Sequence, residues 1–531
     1  MVGACHEVCL EKHQGNKVKN GIFRASVFGI AIVLQVVWIT LIFMRILQFA
    51  EWISIGLSIV AIIVALSVFA RNMNSAFKFP WMIIILAVPF FGLVIYFLTG
   101  HSAINKRAIK RQNKIVESYS DMNMSYGNGV YNDYKTKDKG VANLSGYIEN
   151  VCKFPAFSEG DTKFFGEAKD CFNDIIEEVK KAEHFIFMEY HAVQATGAFT
   201  KLRDALIAKA AEGVTVRLIY DDFGSIGFVD YDFAGQMRSN KIDCRIFNPI
   251  SPVFNILMNN RDHRKITVVD GKVGFVGGFN LADEYFNLVS PYGYWKDTGM
   301  KITGPACVNL TTMFLSMWNG IKQTDDDAVV KEFIDMTAKN FPPSISQKSD
   351  VLIQPYADTP LDDENTGENV YLNIISDSKD YVWFSTPYLI IDEETQKVLI
   401  LAAERGVDVR LVIPGIPDKK LVYSATKSYA AGLAQKGVKI YLYKPGFNHA
   451  KMCVSDDKVC VCGTVNMDYR SFYFHFENAV LAAGTSSVAD IKSDLTQMFE
   501  DSEDVTALYA SRTKSRHKFY DNLLRLISPL F

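Results

Sequence analysis

One eight-residue pattern occurs twice in the chain, and this repeat restricts the possible fold more than any other feature. The two segments are HRKITVVD and HAKMCVSD, at residues 263–270 and 449–456. Five matched pairs are 186 positions apart: His263 and His449, Lys265 and Lys451, Asp270 and Asp456, Gly277 and Gly463, and Asn280 and Asn466. A constant offset over five positions indicates two copies of one domain.

The segments around both motifs alternate between strand-like and helix-like patterns. HFIFMEYH, FTKLRDALIAKAAEG and VTVRLIYDD predict a strand, a helix ending at Gly213 and a second strand. DYVWFSTPYLI, TQKVLILAAERG and VDVRLVIPG repeat that order, with Gly406 at the end of the helix. We therefore expect two α/β domains with pseudo-two-fold symmetry, at residues 106–330 and 331–531, joined by acidic loops around residues 320–370.

The first 105 residues are much more apolar than the rest of the chain. Residues 25–44 and 80–99 are uncharged runs of about twenty residues, the length that crosses a bilayer, and residues 53–70 form a shorter uncharged run. A cleaved signal peptide would have a single apolar run. We therefore expect residues 1–105 to form a membrane region with two or three transmembrane helices.

The distribution of basic residues leaves the orientation of these spans open. The segment NKRAIKRQNK after the third run favours a cytoplasmic location for everything that follows. The amino terminus and the loop between the second and third runs carry a similar number of basic residues on the opposite side. A first run that does not fully cross would remove the conflict.

Charge and cysteine content argue against several classes of protein. A net charge of −3 argues against a generally basic nucleic-acid-binding protein. The nine cysteines are odd in number and scattered through a chain too long to need disulfides, so we expect reduced, structural cysteines. Cys453, Cys460 and Cys462 lie closest together, but no matching histidines accompany them, and we expect neither a metal nor a cofactor.

The paired motifs supply the groups that phosphodiester chemistry needs. In a strand, His263 and Lys265 face the same side, which places an imidazole beside an ammonium, and His449 and Lys451 repeat the arrangement. A phosphodiester anion needs neutralising donors and a neutral nucleophile. One imidazole can attack phosphorus while the other protonates the leaving alcohol and later deprotonates the incoming one. The near-symmetry of the motifs does not tell which imidazole attacks.

The doubled HxKxxxxD motif resembles that of the phospholipase D superfamily. Within it, the chain is similar to bacterial cardiolipin synthases through RDHRKITVVDGKVGFVGGFNLADEY, YWKDT, STPYLIIDEE, NHAKMCVSDD and NMDYRSF. The resemblance implies two phospholipase D-like domains. It also implies transfer of a phosphatidyl group from one phosphatidylglycerol to another, with release of glycerol, through a phosphohistidine intermediate.

The resemblance further implies roles for individual residues. His263 is expected to be the nucleophile and His449 the general acid and base. The residues expected to bind phosphate oxygens are Lys265, Lys451, Asn280, Asn466 and Thr464. Glu477 follows His449 in the second half and resembles the carboxylate that orients an imidazole, and Asp297 is expected to do the same for His263.

The remaining motif residues and the departures from the family pattern are few. Asp270 and Asp456 complete the catalytic motifs and are expected to hold the turn after the motif strand. Thr464 stands where the family usually has serine, and Lys296 stands where arginine is common. The apolar run at residues 25–44 lies outside the usual two-span pattern. None of these departures removes a catalytic group.

A membrane anchor favours lipid transfer, because it holds the site where lipid substrates are concentrated. A hydrolytic phospholipase D or another phosphatidyltransferase would use the same motif. A non-catalytic scaffold that binds anionic lipid is disfavoured because all six motif residues are present.

We expect a multi-pass protein of the bacterial cell membrane with a cytoplasmic catalytic region, and two phosphatidylglycerol molecules and anionic membrane lipid as partners. The oligomeric state stays open.

Overall fold

The computed structural model describes most of the chain. The described residues are 29–30, 32–39, 50–71, 75–97, 106–127, 129–249, 260–341, 350–362, 364–511 and 524–525. Half of the first predicted span, residues 25–44, lies outside them. The chain divides into two compact units, Met1–His101 and Ser102–Phe531.

Three successive helices in the first unit cover the second and third apolar runs. These helices are α1 (Ala50–Phe69), α2 (Ser75–Ala87) and α3 (Pro89–Ile95). Ala61, Ala65 and Ile85 belong to a small apolar core, whereas many other apolar side chains of these helices are exposed. Within the residues that the structure describes, no helix combines the length and apolarity that crossing a membrane requires.

The second unit begins with helices α4 (Lys106–Met124), α5 (Val130–Tyr134) and α6 (Lys139–Asn150). The strands of its first half are β1 (Asp161–Phe165), β2 (Phe185–Tyr190), β3 (Thr215–Asp221), β4 (Ile242–Phe247), β5 (Arg261–Asp262), β6 (Lys265–Val269), β7 (Val273–Gly277), β8 (Tyr294–Lys296) and β9 (Gly299–Thr303). The helices between and after them are α7 (Ala168–Lys181), α8 (Ala198–Ala211), α9 (Phe233–Ser239), a 3₁₀ helix (Asp283–Phe286), α10 (Cys307–Ile321) and α11 (Asp327–Lys339).

The second half repeats this series of elements. Its strands are β10 (Leu352–Asp358), β11 (Tyr381–Ser385), β12 (Leu389–Ile390), β13 (Asp408–Pro414), β14 (Lys439–Tyr443), β15 (Gly446–Asn448), β16 (Met452–Ser455), β17 (Val459–Gly463), β18 (Met467–Asp468), β19 (His475–Ala483) and β20 (Ser502–Asp504). Its helices are α12 (Thr366–Asp377), α13 (Glu393–Glu404), α14 (Lys420–Ala434), α15 (Tyr469–Tyr473), α16 (Ser486–Glu500) and α17 (Thr506–Ala510).

Both halves build a sheet with the same strand order. The first sheet runs β1-β9-β7-β6-β2-β3-β4, and the second runs β10-β19-β17-β16-β11-β13-β14 with β20 added at its edge. In each sheet three strands are parallel and the motif hairpin joins them antiparallel. The central parallel strands β2 and β11 are buried along their whole length and are largely apolar in sequence. The expected repeat of one α/β fold is therefore confirmed.

The two sheets share one hydrophobic core. Helix α10 follows the last strand of the first sheet and packs against both β6 and β10, and α16 packs against both β16 and β1. Phe314 of α10 stacks on Phe187 of β2 with ring centroids 4.6 Å apart. Each half therefore covers the other, so the relative position of the two sheets is fixed by apolar burial.

Two short strands cross between the halves. Strand β5 of the first half pairs with the start of β19, and β8 pairs with β15. The backbone N–H of His263 donates to the Phe476 carbonyl at 2.9 Å, and that of His449 donates to the Lys296 carbonyl at 2.7 Å. Each motif histidine is therefore held by a backbone hydrogen bond from the opposite half.

The motif aspartates lie at the far end of the motif strands. Asp270 has φ 52° and accepts hydrogen bonds from the backbone N–H groups of Glu183, His184 and Phe185, each at 2.8 Å. Asp456 has φ 53° and accepts three backbone N–H groups from residues 379–381 in the same way. Each carboxylate joins the turn after its motif strand to the start of the neighbouring strand, β2 or β11.

We expect Asp270→Ala to lower the free energy of unfolding by about 3 kcal/mol, because three backbone N–H groups lose a charged acceptor. Asp270→Asn should cost less, since its amide oxygen still accepts. Urea unfolding followed by tryptophan fluorescence measures both. Asp204→Ala is the control, because Asp204 pairs with Arg203 at the surface and should change stability by at most about 0.5 kcal/mol. Equal stability of Asp270→Ala and the control would contradict this role.

Candidate active site

The two motifs meet at the interface between the halves. The lysines are fully buried, with Lys265 1% and Lys451 0% exposed, and both histidines are buried. Gly278 of the first half lies directly against the second motif. A Cβ atom at Gly278 would lie 3.2 Å from Cδ of Lys451 and 2.2 Å from Oδ1 of Asp297. Only glycine fits at this position, where both halves contribute polar side chains.

The His263 imidazole is held by a carboxylate of the other half. Its Nδ1 lies 3.0 and 2.9 Å from the two carboxylate oxygens of Glu477. Ser471 Oγ donates to Oε1 of Glu477 at 2.7 Å, and Thr464 Oγ1 donates to Oε2. The carboxylate is itself fixed by two hydroxyl groups, so the orientation of the imidazole is fixed as well.

The His449 imidazole has a comparable partner from the first half. Its Nδ1 lies 2.6 Å from Oδ2 of Asp297, whose Oδ1 accepts the backbone N–H of Thr298 at 2.8 Å. The Lys451 ammonium lies 2.8 Å from the same Nδ1 and also donates to the His449 carbonyl. The Lys265 ammonium donates to the carbonyl of its own histidine at 2.7 Å, and the Lys265 backbone N–H donates to Oδ1 of Asn478 at 3.2 Å.

The expected pairing of carboxylates with histidines was wrong. The sequence suggested that Glu477 orients His449 and that Asp297 orients His263, each within its own half. In the structure the partners are exchanged. The reason is the crossing of β5 and β8 into the opposite half, which brings His263 beside β19 and His449 beside the end of β8.

Burial shifts the pKa values of the two motif histidines and the two motif lysines. Burial, reinforced by the neighbouring lysines, lowers the pKa of His263 and His449 well below the usual range of histidine. Burial lowers the pKa of Lys265 to about 7 and that of Lys451 to about 8. Each lysine contributes to lowering the pKa of the histidine in the other half, which places the four groups within electrostatic reach of one another.

The amide and hydroxyl residues predicted to bind phosphate differ in their surroundings. Asn280 accepts the Ala192 N–H at 3.1 Å and donates to the Tyr285 hydroxyl at 2.7 Å. Asn466 is buried, and its Oδ1 accepts no hydrogen bond from any residue that the structure describes. The hydroxyl of Thr464 donates to Glu477, so in the structure it supports the carboxylate.

Two further histidines flank His263, and sequence reasoning missed both. The His191 ring centroid lies 5.3 Å from that of His263, and the His475 ring centroid lies 5.4 Å from it. His191 Nδ1 lies 2.8 Å from the Asp262 carbonyl, which fixes its ring. The only signals in the sequence were positions: His191 follows β2 directly, and His475 comes two residues before Glu477.

An aromatic wall lies beside His449. The ring centroids of Tyr285, Trp295 and Phe447 are 5.3, 5.4 and 5.8 Å from that of His449. Trp295 belongs to the YWKDT segment, in which the sequence singled out the aspartate and the lysine. The Lys296 ammonium donates to Asp494 at 2.7 Å, so this lysine joins the halves away from the histidines.

Among the residues that the structure describes, one group of side chains has the donor atoms of a metal site. Nitrogen atoms of His263 and His475 and a carboxylate oxygen of Glu477 all lie within 4.8 Å of one another. The Glu477 oxygens already accept hydrogen bonds from the hydroxyl groups of Thr464 and Ser471. The same side chains also form the arrangement in which a carboxylate holds an imidazole in one tautomer. That arrangement needs no ion.

Comparison with known proteins assigns the family. The model of the family described as "Cardiolipin synthase, PLD-like domain" matches residues 175–318 and 371–501. A second model, "Phospholipase_D-nuclease N-terminal", matches residues 56–101. Both motifs lie within the first pair of ranges.

Curated relatives match most of the chain. A cardiolipin synthase of Alkalihalophilus pseudofirmus is 31% identical over 483 residues, which cover 90% of this chain and 93% of the relative. A cardiolipin synthase of Clostridium perfringens strain SM101 is 33% identical and covers 86% of this chain and 94% of the relative. An uncharacterized protein of Streptococcus mutans is 36% identical, with 86% and 97% covered.

A solved structure shows the same fold. The phosphatidylserine synthase of Haemophilus influenzae Rd KW20 superposes with a TM-score of 0.55 at 14% identity, covering 73% of this chain and 96% of that chain. The family models, the relatives and the doubled motif agree. The chain belongs to the phospholipase D-like family of cardiolipin synthases, a family of phosphatidyltransferase enzymes.

Proposed function

We propose that the chain transfers a phosphatidyl group from one phosphatidylglycerol to a hydroxyl of a second, which yields cardiolipin and glycerol. The observation that carries this proposal is the exchanged pairing of His263 with Glu477 and His449 with Asp297. In each pair Nδ1 is occupied by a carboxylate, which leaves Nε2 for chemistry. Two such imidazoles at one interface meet the need for a nucleophile and a separate acid and base.

The first step breaks the donor lipid. Nε2 of His263 attacks phosphorus, so that an N–P bond forms as the P–O bond to glycerol breaks. His449 gives its proton to the departing glycerol oxygen. Burial raises the pKa of Asp297 to about 7, so near neutral pH the His449–Asp297 pair holds a proton in a substantial fraction of molecules.

The second step forms the product. The hydroxyl of the second phosphatidylglycerol gives its proton to His449, and its oxygen attacks phosphorus. The N–P bond breaks, and neutral His263 is restored. In both steps the ammonium groups of Lys265 and Lys451 neutralise the charge on the phosphoryl oxygens. The side-chain amides of Asn280 and Asn466 donate hydrogen bonds to the same oxygens.

The first unit attaches the enzyme to the membrane where its lipid substrates lie. On α1 the exposed apolar side chains include Ile59, Ile62, Ile63 and Leu66, with Leu66 61% exposed. Such a surface is costly in water and stable in hydrocarbon. Two or three spans at residues 25–44, 53–70 and 80–99 account for it. The free cysteines of the second unit support a cytoplasmic location for the catalytic region.

The reaction itself is the first test. Incubated with phosphatidylglycerol as the sole lipid and without divalent metal, the purified full chain should produce cardiolipin and glycerol in equal amounts. Thin-layer chromatography of the lipid and an enzymatic assay of glycerol measure the two products. Phosphatidic acid as the main product would contradict transfer, because it shows that water resolves the intermediate, and would assign a hydrolytic phospholipase D.

The roles of the two histidines are separable with an activated substrate. His263→Ala and His449→Ala should each lower cardiolipin formation by a factor of about 10³ or more. A phosphatidyl p-nitrophenyl ester has a leaving group that needs no acid. His449→Ala should therefore still release a burst of one nitrophenolate per enzyme, whereas His263→Ala should release none. The reverse pattern would make His449 the nucleophile, and normal cardiolipin formation in either variant would contradict both roles.

The lowered lysine pKa values predict a pH dependence of substrate binding. Because the pKa of Lys265 is lowered to about 7 and that of Lys451 to about 8, their positive charge is present below these values and is lost above them. The KM for phosphatidylglycerol should rise by about tenfold from pH 7 to pH 9. Lys451→Arg keeps its charge at pH 9 and should flatten the rise. A wild-type KM that stays constant over this range would contradict the prediction.

A further inference from the structure

Large apolar side chains are exposed on three loops of the second unit and on the first turn of α14, which follows the third loop. They are Phe223 (52% exposed), Ile226 (54%), Leu288 (57%), Val289 (50%), Ile416 (41%) and Leu421 (46%). We name these six residues the apolar rim. The loops follow β3, the 3₁₀ helix and β13, so two of them leave the carboxyl ends of parallel strands. Ligand sites of α/β sheets lie at those ends.

The first part of the rim adjoins His263. A Cβ atom at Gly224, next to Phe223, would lie 2.2 Å from the His191 carbonyl oxygen and 2.7 Å from its ring. The His191 ring in turn contacts the His263 ring. The loop that carries Phe223 and Ile226 is therefore separated from the proposed nucleophile by a single imidazole.

The second part of the rim adjoins His449. Asn287, which precedes Leu288, exchanges two hydrogen bonds with the Trp295 backbone, at 3.0 and 2.7 Å. Trp295 lies against the His449 ring. A Cβ atom at Gly293 would lie 3.2 Å from Cδ1 of Ile416, so the loops that carry Leu288 and Ile416 touch. The rim thus has one part beside each catalytic imidazole.

Positive charge accompanies these apolar side chains. Lys419 and Lys420 lie between Ile416 and Leu421 and are both exposed. The Lys419 ammonium contributes to lowering the pKa of both His263 and His449, so it lies within electrostatic reach of both imidazoles. An apolar surface flanked by lysines is complementary to an anionic bilayer, where aliphatic side chains enter the acyl region and ammonium groups meet phosphates.

We propose that the apolar rim, with Lys419 and Lys420, docks the catalytic unit on the surface of an anionic bilayer and inserts around the opening of the site. This inference rests on the proposed function. A phosphodiester at the bilayer surface then reaches the imidazoles while its acyl chains stay covered by lipid and by the rim. Other apolar occupants, such as a second copy of the chain, would not require the lysines.

Turnover on two forms of substrate tests the docking. The full chain carrying Leu288→Glu and Ile416→Glu is assayed on phosphatidylglycerol vesicles and on dihexanoyl phosphatidylglycerol below its micelle concentration. The ratio of vesicle to monomer turnover should fall by about tenfold or more relative to wild type, because only vesicles require insertion. An unchanged ratio overturns the proposal, and so does an equal loss on both substrates, which would indicate local damage to the site.

Leu401→Glu is the matched control. Leu401 is 51% exposed and lies in the last turn of α13. Because α13 leads into the amino end of β13, Leu401 lies at the end of the parallel strands opposite the rim. It introduces one glutamate, half the added charge of the double variant, at a position of similar exposure. Its ratio of vesicle to monomer turnover should equal that of wild type, and a matching loss would overturn a localised docking surface.

A second measurement does not depend on activity. Leu288→Cys and Leu401→Cys are labelled with an environment-sensitive fluorophore in a background with Cys5, Cys9 and Cys152 changed to serine, and the full chain is placed in phosphatidylglycerol nanodiscs. A lipid-borne quencher should quench the label at position 288 by about half or more and leave the label at 401 unchanged. Quenching of neither, or a change at 288 that follows protein concentration, overturns the proposal. Quenching at 288 by a chain that makes no cardiolipin would contradict the proposed function alone.

Discussion

The structure depends on two imidazole–carboxylate hydrogen bonds that cross between its halves. Glu477 of the second half holds His263, and Asp297 of the first half holds His449. A carboxylate buried without partners would cost several kcal/mol, so each half supplies the group that makes burial of the other's ionisable residues tolerable. Neither half contains a complete proton-transfer unit. The shared core and the crossing strands β5 and β8 therefore serve the chemistry directly, since they fix the distance between the pairs.

Burial explains why the lysines have lowered pKa values. The site buries the amino groups of Lys265 and Lys451 beside the carboxyl group of Asp297, and burial favours the neutral form of all three. A phosphodiester adds an anion within reach of both lysines and restores the stability of their charged form. The two lysines thus match an anionic ligand, because its charge offsets the cost of burying their charged form.

Much of the fold and part of the site were readable in the sequence. The constant offset of the motifs predicted two copies of one α/β fold. The prediction of a single strand through His263 and Lys265 was wrong, because β6 begins at Lys265 and His263 lies between β5 and β6. The exchange of carboxylates could not be predicted, because it depends on β5 and β8, which have only two and three residues and show no periodicity. His191 and His475 were missed because a lone histidine in apolar sequence is usually a core residue. The three spans stay predictions.

The two imidazoles are chemically unequal although the motifs are nearly symmetric, and this inequality bears on their roles. Glu477 accepts hydrogen bonds from the hydroxyl groups of Thr464 and Ser471, and both its oxygens face Nδ1 of His263, which strengthens Nε2 as a nucleophile. Nδ1 of His449 instead meets both Asp297 and the Lys451 ammonium. An imidazole whose Nδ1 faces a carboxyl group with a pKa of about 7 shares a proton with that group near neutral pH, so the pair can release and take up a proton through Nε2. That property suits an acid in the first step and a base in the second, so the surroundings support His263 as the nucleophile where the motif spacing left the choice open.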